Sequence, residues 1–302
     1  MEMTHTDLLK KLVGAGIRWR YGEKPDNLTK RRIVWEMMYI IKARYVDHYL
    51  MAFWIFRQKA QDINYWAYGA VPSSIICFCL GLTEIDPITY GLHSERFVND
   101  EPPMFQFDIE SSCLDEFKKK AAEVFAANEE NFDIQAMKDS LFQHLFAKTG
   151  MEKRSEREIP DDLEDEIAYY ALSFPDTKDL FESYVRGKEG EVWKKTGIAK
   201  LDEILAPTYG ILVYQEQMLD ILRELFHVRA IKVNRIRIYI QRGDTEQIEA
   251  YKADLFTNLK DLTAEEAERV WSVLVSNRKA FLKAHAVSRV IEKYNFKSID
   301  NN

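Results

Sequence analysis

The sequence predicts an α+β fold, with a small mixed sheet and helices first and a mostly α-helical region after it. Two observations predict it. The stretch EPPMFQFDIESS (residues 101–112) alternates apolar and polar residues as a strand does. Helical apolar spacing fills most of the rest and dominates from about residue 134. That change of pattern places a boundary near 130, between a first region of 1–130 and a helical second region of 131–302.

Residues 5–22, HTDLLKKLVGAGIRWRYG, read as an amphipathic helix with Thr6 as its N-cap, since Leu8, Leu9, Leu12 and Val13 recur at helical spacing. Residues 28–60 form a longer, aromatic-rich pattern without Gly or Pro. Its second half fits helix or strand, because Tyr, Phe, Trp and Ile suit both. VPSSIICFCLGL (71–82) reads as a turn, a buried helix and a breaker, too short to span a bilayer. In the alternating strand, Phe105, Phe107 and Ile109 share the apolar face, while Met104, Gln106, Asp108 and Glu110 share the other. A helix follows over LDEFKKKAAEVFAA, ending near NEEN. Beyond it Pro160, Pro175 and Pro207 punctuate a helical pattern, and the acidic run DDLEDE (161–166) reads as a solvated helix start favoured by the macrodipole.

The 302 residues suggest about two domains. Hydrophobic residues at 46% allow a sizeable core, and 30% charged residues exclude a disordered composition. The net charge of −7 does not advertise a nucleic-acid binder, though it hides local patches. Arg229, Lys232, Arg235, Arg237 and Arg242 form one acid-free basic stretch, and residues 277–297 form a second. Each reads as a solvated helix face or as a surface for phosphates. Cys77, Cys79 and Cys113 are too few for a disulfide framework, and CFC lacks zinc spacing; a reduced cytoplasmic setting and buried apolar thiols fit better. The N-terminus has no apolar run of signal-peptide length, so the expectation is a cytoplasmic protein without membrane partners.

At LDEILAPTYGILVYQEQMLDIL (201–222) the residues resemble the fingers of bacterial C-family DNA polymerases, the DNA polymerase III alpha subunit, in which PTYGxxVYQEQ is typical. Pro207, Thr208, Tyr209, Gly210, Val213, Tyr214, Gln215, Glu216 and Gln217 match it. LGLTEIDPITYGLHSERFVND, LEDEIAYYALSFPDTKDLFESYVRGKEG and AFLKAHAVSRVIEKY resemble further family segments in the right order. The resemblance implies a palm-like first region and a fingers-like second one. It also implies departures: the chain starts at the palm, and between FKKKAAEVF and NFDIQAMKDSL it skips the thumb and the palm segment with the family's third catalytic aspartate.

The family's palm strand PDIDIDF carries two metal-binding aspartates. Laid without a gap on PMFQFDI, they fall on Gln106 and Asp108, so one ligand is a neutral amide. A gapped register would instead put the pair on Asp108 and Glu110, and both acids also read as polar residues of a half-buried strand. The Gly-rich phosphate loop falls on YWAYGAVPSS, keeping only Gly69 and Ser74. Of the family's other nucleotide and DNA contacts, Arg237, Arg242, Lys283 and His285 remain; Lys283 and His285 read equally as a helix-surface pair.

Transfer by two metals needs carboxylates clamping both ions about 4 Å apart. Mg²⁺, the cofactor the family implies if activity survives, holds weakly to one carboxylate. One unit charge pair at 4 Å is worth about 4 kcal/mol at an effective dielectric near 20, so losing two acids removes most of the acceleration. Three readings follow: a degenerate polymerase-like protein that binds primer–template DNA or nucleotide, an inactive module that binds a replisome protein or a second copy of itself, and an active nucleotidyltransferase rebuilt on Asp108 and Glu110.

Overall fold

The computed structural model describes residues 3–130, 132–142, 145–148, 162–175, 177 and 180–293. The chain divides into two units, Met1–Ile159 with Val287–Asn302, and Pro160–Ala286. The sequence places the division near 130 instead. Residues beyond 130 join the first unit because they pack into it. The Phe105 N–H bonds Ser140 O at 3.0 Å, and the Ser140 hydroxyl donates to Pro103 O.

In the first unit, α1 (His5–Tyr21) is capped by Thr4, whose hydroxyl accepts from the Asp7 N–H. The expected cap, Thr6, lies inside the helix. Thr4 precedes the first helical residue and has extended backbone, which is what an N-cap requires. The long aromatic pattern is helical except at residues 43–45: α2 (Asn27–Lys42), α3 (Val46–Phe53) and a π-helical turn, Trp54–Lys59. Arg44, in the left-handed region at φ 62°, separates the first two.

Three strands make a mixed sheet in the order β1 (Tyr65–Ala67), β2 (Phe107–Glu110), β3 (Leu145–Lys148). β1 runs antiparallel to β2 with Trp66 opposite Asp108; β3 runs parallel to it with Asp108 opposite Phe146. The regular ladder of β2 starts at Phe107, three residues later than the alternation predicts, although the Tyr68 N–H still bonds Gln106 O. The predicted apolar face is as expected: Phe105, Phe107 and Ile109 are fully buried, with Tyr49, Phe56 and Phe117 in the same core. β3 carries too short an alternation for the sequence to reveal.

α4 (Ile75–Cys79) is the buried helix before the Gly81 breaker. Burial pushes the Cys79 thiol up to about 12 and the Cys77 thiol well above its ordinary value, so both are inert core residues. α5 (Leu114–Ala127) ends at Asn128, as expected, and α6 (Ile134–Phe142) follows.

His48 on α3 is buried, and its Nδ1 has no hydrogen-bond partner. Burial lowers its pKa, against the opposing charges of Asp47 and Asp133. The folded imidazole therefore resists a proton that the unfolded chain takes up near pH 6.5. Stability is full above that value and falls as pH drops below it, by at most about 1.4 kcal/mol per pH unit. Urea titrations at pH 7.5 and 5.5 are expected to show this loss in the native chain and a smaller loss in His48→Leu.

The second unit is helical: α7 (Leu163–Leu172), α8 (Phe181–Lys188), α9 (Ala199–Leu205), α10 (Gln215–Glu224), α11 (Ala230–Arg242), α12 (Thr245–Phe256) and α13 (Ala264–Ser276). α14 (Lys283–Ile291) counts with it up to Ala286. Its core gathers Leu201, Met218, Leu222, Ile236, Val270 and Leu274. The acidic start of α7 is only partly solvated, because Asp165 accepts from the Tyr184 hydroxyl at 2.8 Å and pairs with Lys188 at 2.9 Å. Among the described residues no helix is long and apolar enough to cross a membrane.

Candidate functional site

The sheet of the first unit holds the residues with the strongest chemical expectation. Asp108 sits mid-strand and is 3% exposed. A carboxylate so buried needs a counter-charge, and two are present. Arg289, near the end of α14, donates from its guanidinium to Asp108 Oδ2, and Lys148 Nζ on β3 lies 3.7 Å from the same oxygen. Glu292 completes the group: it pairs with Lys148 through Oε1 and lies 3.3 Å from Arg289 through Oε2. Two carboxylates and two cations make a formally neutral quartet.

Tyr68 and Trp66, in the stretch expected to correspond to the family's Gly-rich loop, support this quartet. The Tyr68 ring lies under the Arg289 guanidinium, 4.3 Å from its centroid. Burial, helped by Asp108 and opposed by Arg289, pushes the Tyr68 phenol up to about 12. Trp66 donates its indole N–H to Ser288 Oγ at 2.9 Å, and the Ser288 hydroxyl donates to Ala67 O at 2.7 Å. Burial works against the charge on Arg289, but its bond to Asp108 and the Asp108 and Glu292 charges carry its pKa above the ordinary arginine value.

Gln106 turns toward the loop, its Oε1 accepting from the Ala70 N–H at 3.3 Å. Gly69 has φ +64°, and a Cβ there would sit 1.7 Å from Gln106 Oε1. Left-handed backbone and close packing thus explain this glycine without a phosphate. Glu110 is half-buried beyond Asp108, with its N–H bonded to Asn64 O. Ser74 is fully buried as the N-cap of α4: it accepts from the Cys77 N–H and donates to Glu36 Oε2 at 2.8 Å. Glu36 on α2, also fully buried, takes the Ile75 and Ile76 N–H groups and pairs with Arg32 at 2.7 Å. An internal carboxylate therefore fills the position at the helix start where an anion would bind.

A catalytic metal pair does not fit these residues. Mg²⁺ asks for a near-octahedral oxygen shell. Here Asp108 faces two cations, and the Gln106 oxygen points at a backbone N–H. No group of three or more His, Cys, Asp or Glu side chains among the described residues is placed to hold a metal.

In the second unit, the residues 207–217 build a structural knot. Gln217 is 7% exposed and its amide is fully used. Its Oε1 accepts from the Val213 and Tyr214 N–H groups, both at 2.9 Å; its Nε2 donates to Thr208 Oγ1 at 2.7 Å and to Ile204 O at 3.2 Å. Glu216, 3% exposed, accepts the Lys283 N–H at 2.9 Å and the Ala284 N–H at 3.3 Å, capping α14. Tyr209 and Gly210 both adopt positive φ, and a Cβ on Gly210 would strike the Trp193 ring at 2.3 Å.

The expected anion contacts of this unit have different fates. Arg237 is 4% exposed and bonds Asn234, Gln215 and Gln241, so it is an internal strut and no surface contact. Arg242 is exposed at the end of α11. The Lys283 ammonium is 3.5 Å from Glu164 and lies over the Tyr214 ring. His285 Nε2 is 3.4 Å from the Tyr170 hydroxyl, and its ring packs against Tyr170 and Phe281. Sequence reasoning missed Lys148, Arg289, Glu292 and Glu36. The i,i+3 spacing of Arg289 and Glu292 on a helix was the one local signal.

Comparison with known proteins agrees with the motifs. A family model described as the bacterial DNA polymerase III alpha NTPase domain matches residues 7–159. Another, described as the bacterial DNA polymerase III alpha subunit finger domain, matches residues 106–263. Curated relatives named error-prone DNA polymerase are similar over part of the chain. The protein from Anaeromyxobacter sp. (strain K) is 33% identical over 113 residues, 36% of this chain and 10% of that protein. That from Bdellovibrio bacteriovorus is 34% identical over 118 residues, 38% of this chain and 11% of its own. That from Burkholderia mallei is 31% identical over 117 residues, 37% and 11%. Each match spans about a tenth of the relative's length.

Proposed function

The chain belongs to the bacterial DNA polymerase III alpha subunit family, and from that premise we propose that it is a replication-related DNA-binding member that does not carry out nucleotidyl transfer at the Asp108 position. One observation carries the second half of this reading: the carboxylate aligned with a family metal ligand is held by Arg289 and Lys148 in a neutral quartet. The cations supply internally the charge that a divalent ion would bring. Glu36 at the start of α4 points the same way for a triphosphate, since a bound anion would face a buried carboxylate.

DNA binding is supported by the exposed cations of the second unit. Arg229, Arg235 and Arg242 lie on the surface of α11 or at its ends. Phosphate contacts of this kind are sequence-independent and fall steeply with salt.

Two assays test the reading together. Fluorescence anisotropy of a labelled primer–template is expected to show binding whose log K falls linearly with log salt. Arg242→Ala is expected to shallow that slope by about 0.9, the value of one phosphate contact. Incorporation of a labelled nucleotide is expected to stay at background with both Mg²⁺ and Mn²⁺. Incorporation that disappears in Asp108→Asn would overturn the catalytic half; absence of binding at low salt would overturn the DNA half.

A further inference from the structure

We propose that α14 is a conformational link: opening of the sheet around Asp108 depends on the Glu216 carboxylate that caps the other end of this helix, and the dependence runs both ways. This inference does not rest on the DNA reading.

The division between the two units falls inside α14, between Ala286 and Val287. Each unit holds its own end of the helix. In the second unit, the Gln215 N–H bonds Phe281 O and the Phe281 N–H bonds Val213 O, both at 2.8 Å, which fixes the chain just before the helix. Glu216 then accepts the Lys283 and Ala284 N–H groups, while Leu282 O accepts those of His285 and Ala286 at 3.1 and 3.2 Å. All four N–H groups that a helix start leaves open are thus occupied, two of them by one buried carboxylate. In the first unit, Ser288 bonds Trp66 and Ala67, and Arg289 bonds Asp108.

The helix has the properties of a transmitter. It is nine residues long. Isolated helices below about 12–15 residues are marginal in water, so it persists through its anchors. Residues 283–291 contain no Gly or Pro at which one half could bend away from the other. Ala284, Ala286, Val287, Ser288, Val290 and Ile291 are buried, which leaves no solvated middle turn to fray alone. The two-state element is therefore the helix itself, formed or unwound. Without Glu216 the Lys283 and Ala284 donors lose their acceptor, and the first turn must unwind for water to reach them. Ser288, which holds Trp66, lies one turn beyond Ala284. Tightening of residues 213–217 then protects the sheet, and loosening of the sheet is returned to 213–217 by linkage.

Hydrogen exchange of the full chain, read by mass spectrometry, tests this. Glu216→Leu is expected to speed exchange about tenfold in peptides covering residues 65–68 and 107–110 as well as 281–291, the size of a lost helix cap. Glu216→Gln keeps one acceptor oxygen and is expected to show the same pattern at smaller size, so the result does not depend on the leucine variant folding. Ser288→Ala reads the link from the other end and is expected to speed exchange at 213–217. Thr263→Ala is the matched control: it removes a cap in the same unit, that of α13, and is expected to leave the sheet unchanged. Faster exchange at 281–286 with native exchange at 65–68 and 107–110 in both Glu216 variants overturns the proposal. So does a Thr263→Ala variant that speeds the sheet as much as Glu216→Leu, since the coupling would then not run through α14.

Discussion

Replacing Arg289 with methionine is expected to speed hydrogen exchange at the amides of β1 and β2 by roughly a hundredfold. The substitution keeps an unbranched apolar stem and removes the charge. Asp108 would stay 3% exposed with only Lys148, 3.7 Å away, to oppose it. Breaking a buried ion pair by removing one partner costs about 3–5 kcal/mol, mostly from the stranded charge. Lys148 persists, so the low end, about 3 kcal/mol, is the expectation; each 1.4 kcal/mol is about tenfold in the opening equilibrium. The double variant Asp108→Leu/Arg289→Met removes both charges and leaves Glu292 with Lys148. It is expected to lose less than about 1.5 kcal/mol, because replacing a whole buried pair with apolar residues is often near neutral. Exchange measured by mass spectrometry on peptides covering residues 65–68 and 107–110 checks both. A double variant as unstable as the single one would show that Arg289 acts through packing on Tyr68 and not through Asp108.

Gln217→Leu is expected to destabilise the second unit by about 4 kcal/mol. The shape of the side chain is roughly kept, but the Val213 and Tyr214 N–H groups lose their shared acceptor inside the core. A buried donor left without a partner costs about 1–3 kcal/mol, and there are two. Thr208 loses the donor to its Oγ1 as well. Thr208→Val is the graded control: it leaves both bonds to Gln217 Oε1 intact and is expected to cost about 1.5 kcal/mol. Hydrogen exchange under increasing urea, read by mass spectrometry on peptides of the second unit, measures both. Equal stability of the native chain and Gln217→Leu would mean that water or neighbouring groups satisfy those donors, and the structural account of the 207–217 segment would fall.

These two results separate two kinds of inference. Residues 207–217 were legible in the sequence as a match to a family string, and the structure gives that string a structural role. Its physical basis is local. Thr208, Val213, Tyr214 and Gln217 lie within ten residues of one another, so one short string encodes donors and acceptors together. Helices were legible for the same reason, since apolar spacing along 5–21 or 114–127 repeats within a few residues. The apolar face of Phe105, Phe107 and Ile109 followed from the two-residue period of a strand.

Misses came where a local pattern was weak or a distant partner decided. The cap is Thr4 and not the expected Thr6: both threonines precede the same apolar run, and only the backbone distinguishes them. β3 was missed because four residues carry almost no periodic signal. Arg237 belongs to a basic stretch in one dimension, and in three dimensions it is an internal strut against Asn234, Gln215 and Gln241.

The sequence by itself determined the family and the helical succession, and it singled out Asp108 as a candidate metal ligand. It could not determine what that aspartate does. Arg289 meets Asp108 across 181 residues of chain, and Lys148 meets Glu292 across 144. No periodicity links positions so far apart, and the same carboxylate is a metal ligand beside other acids and an ion-pair partner beside cations. Only the tertiary structure, by bringing β2, β3 and the end of α14 together, fixed the local charge balance and with it the chemistry available to Asp108.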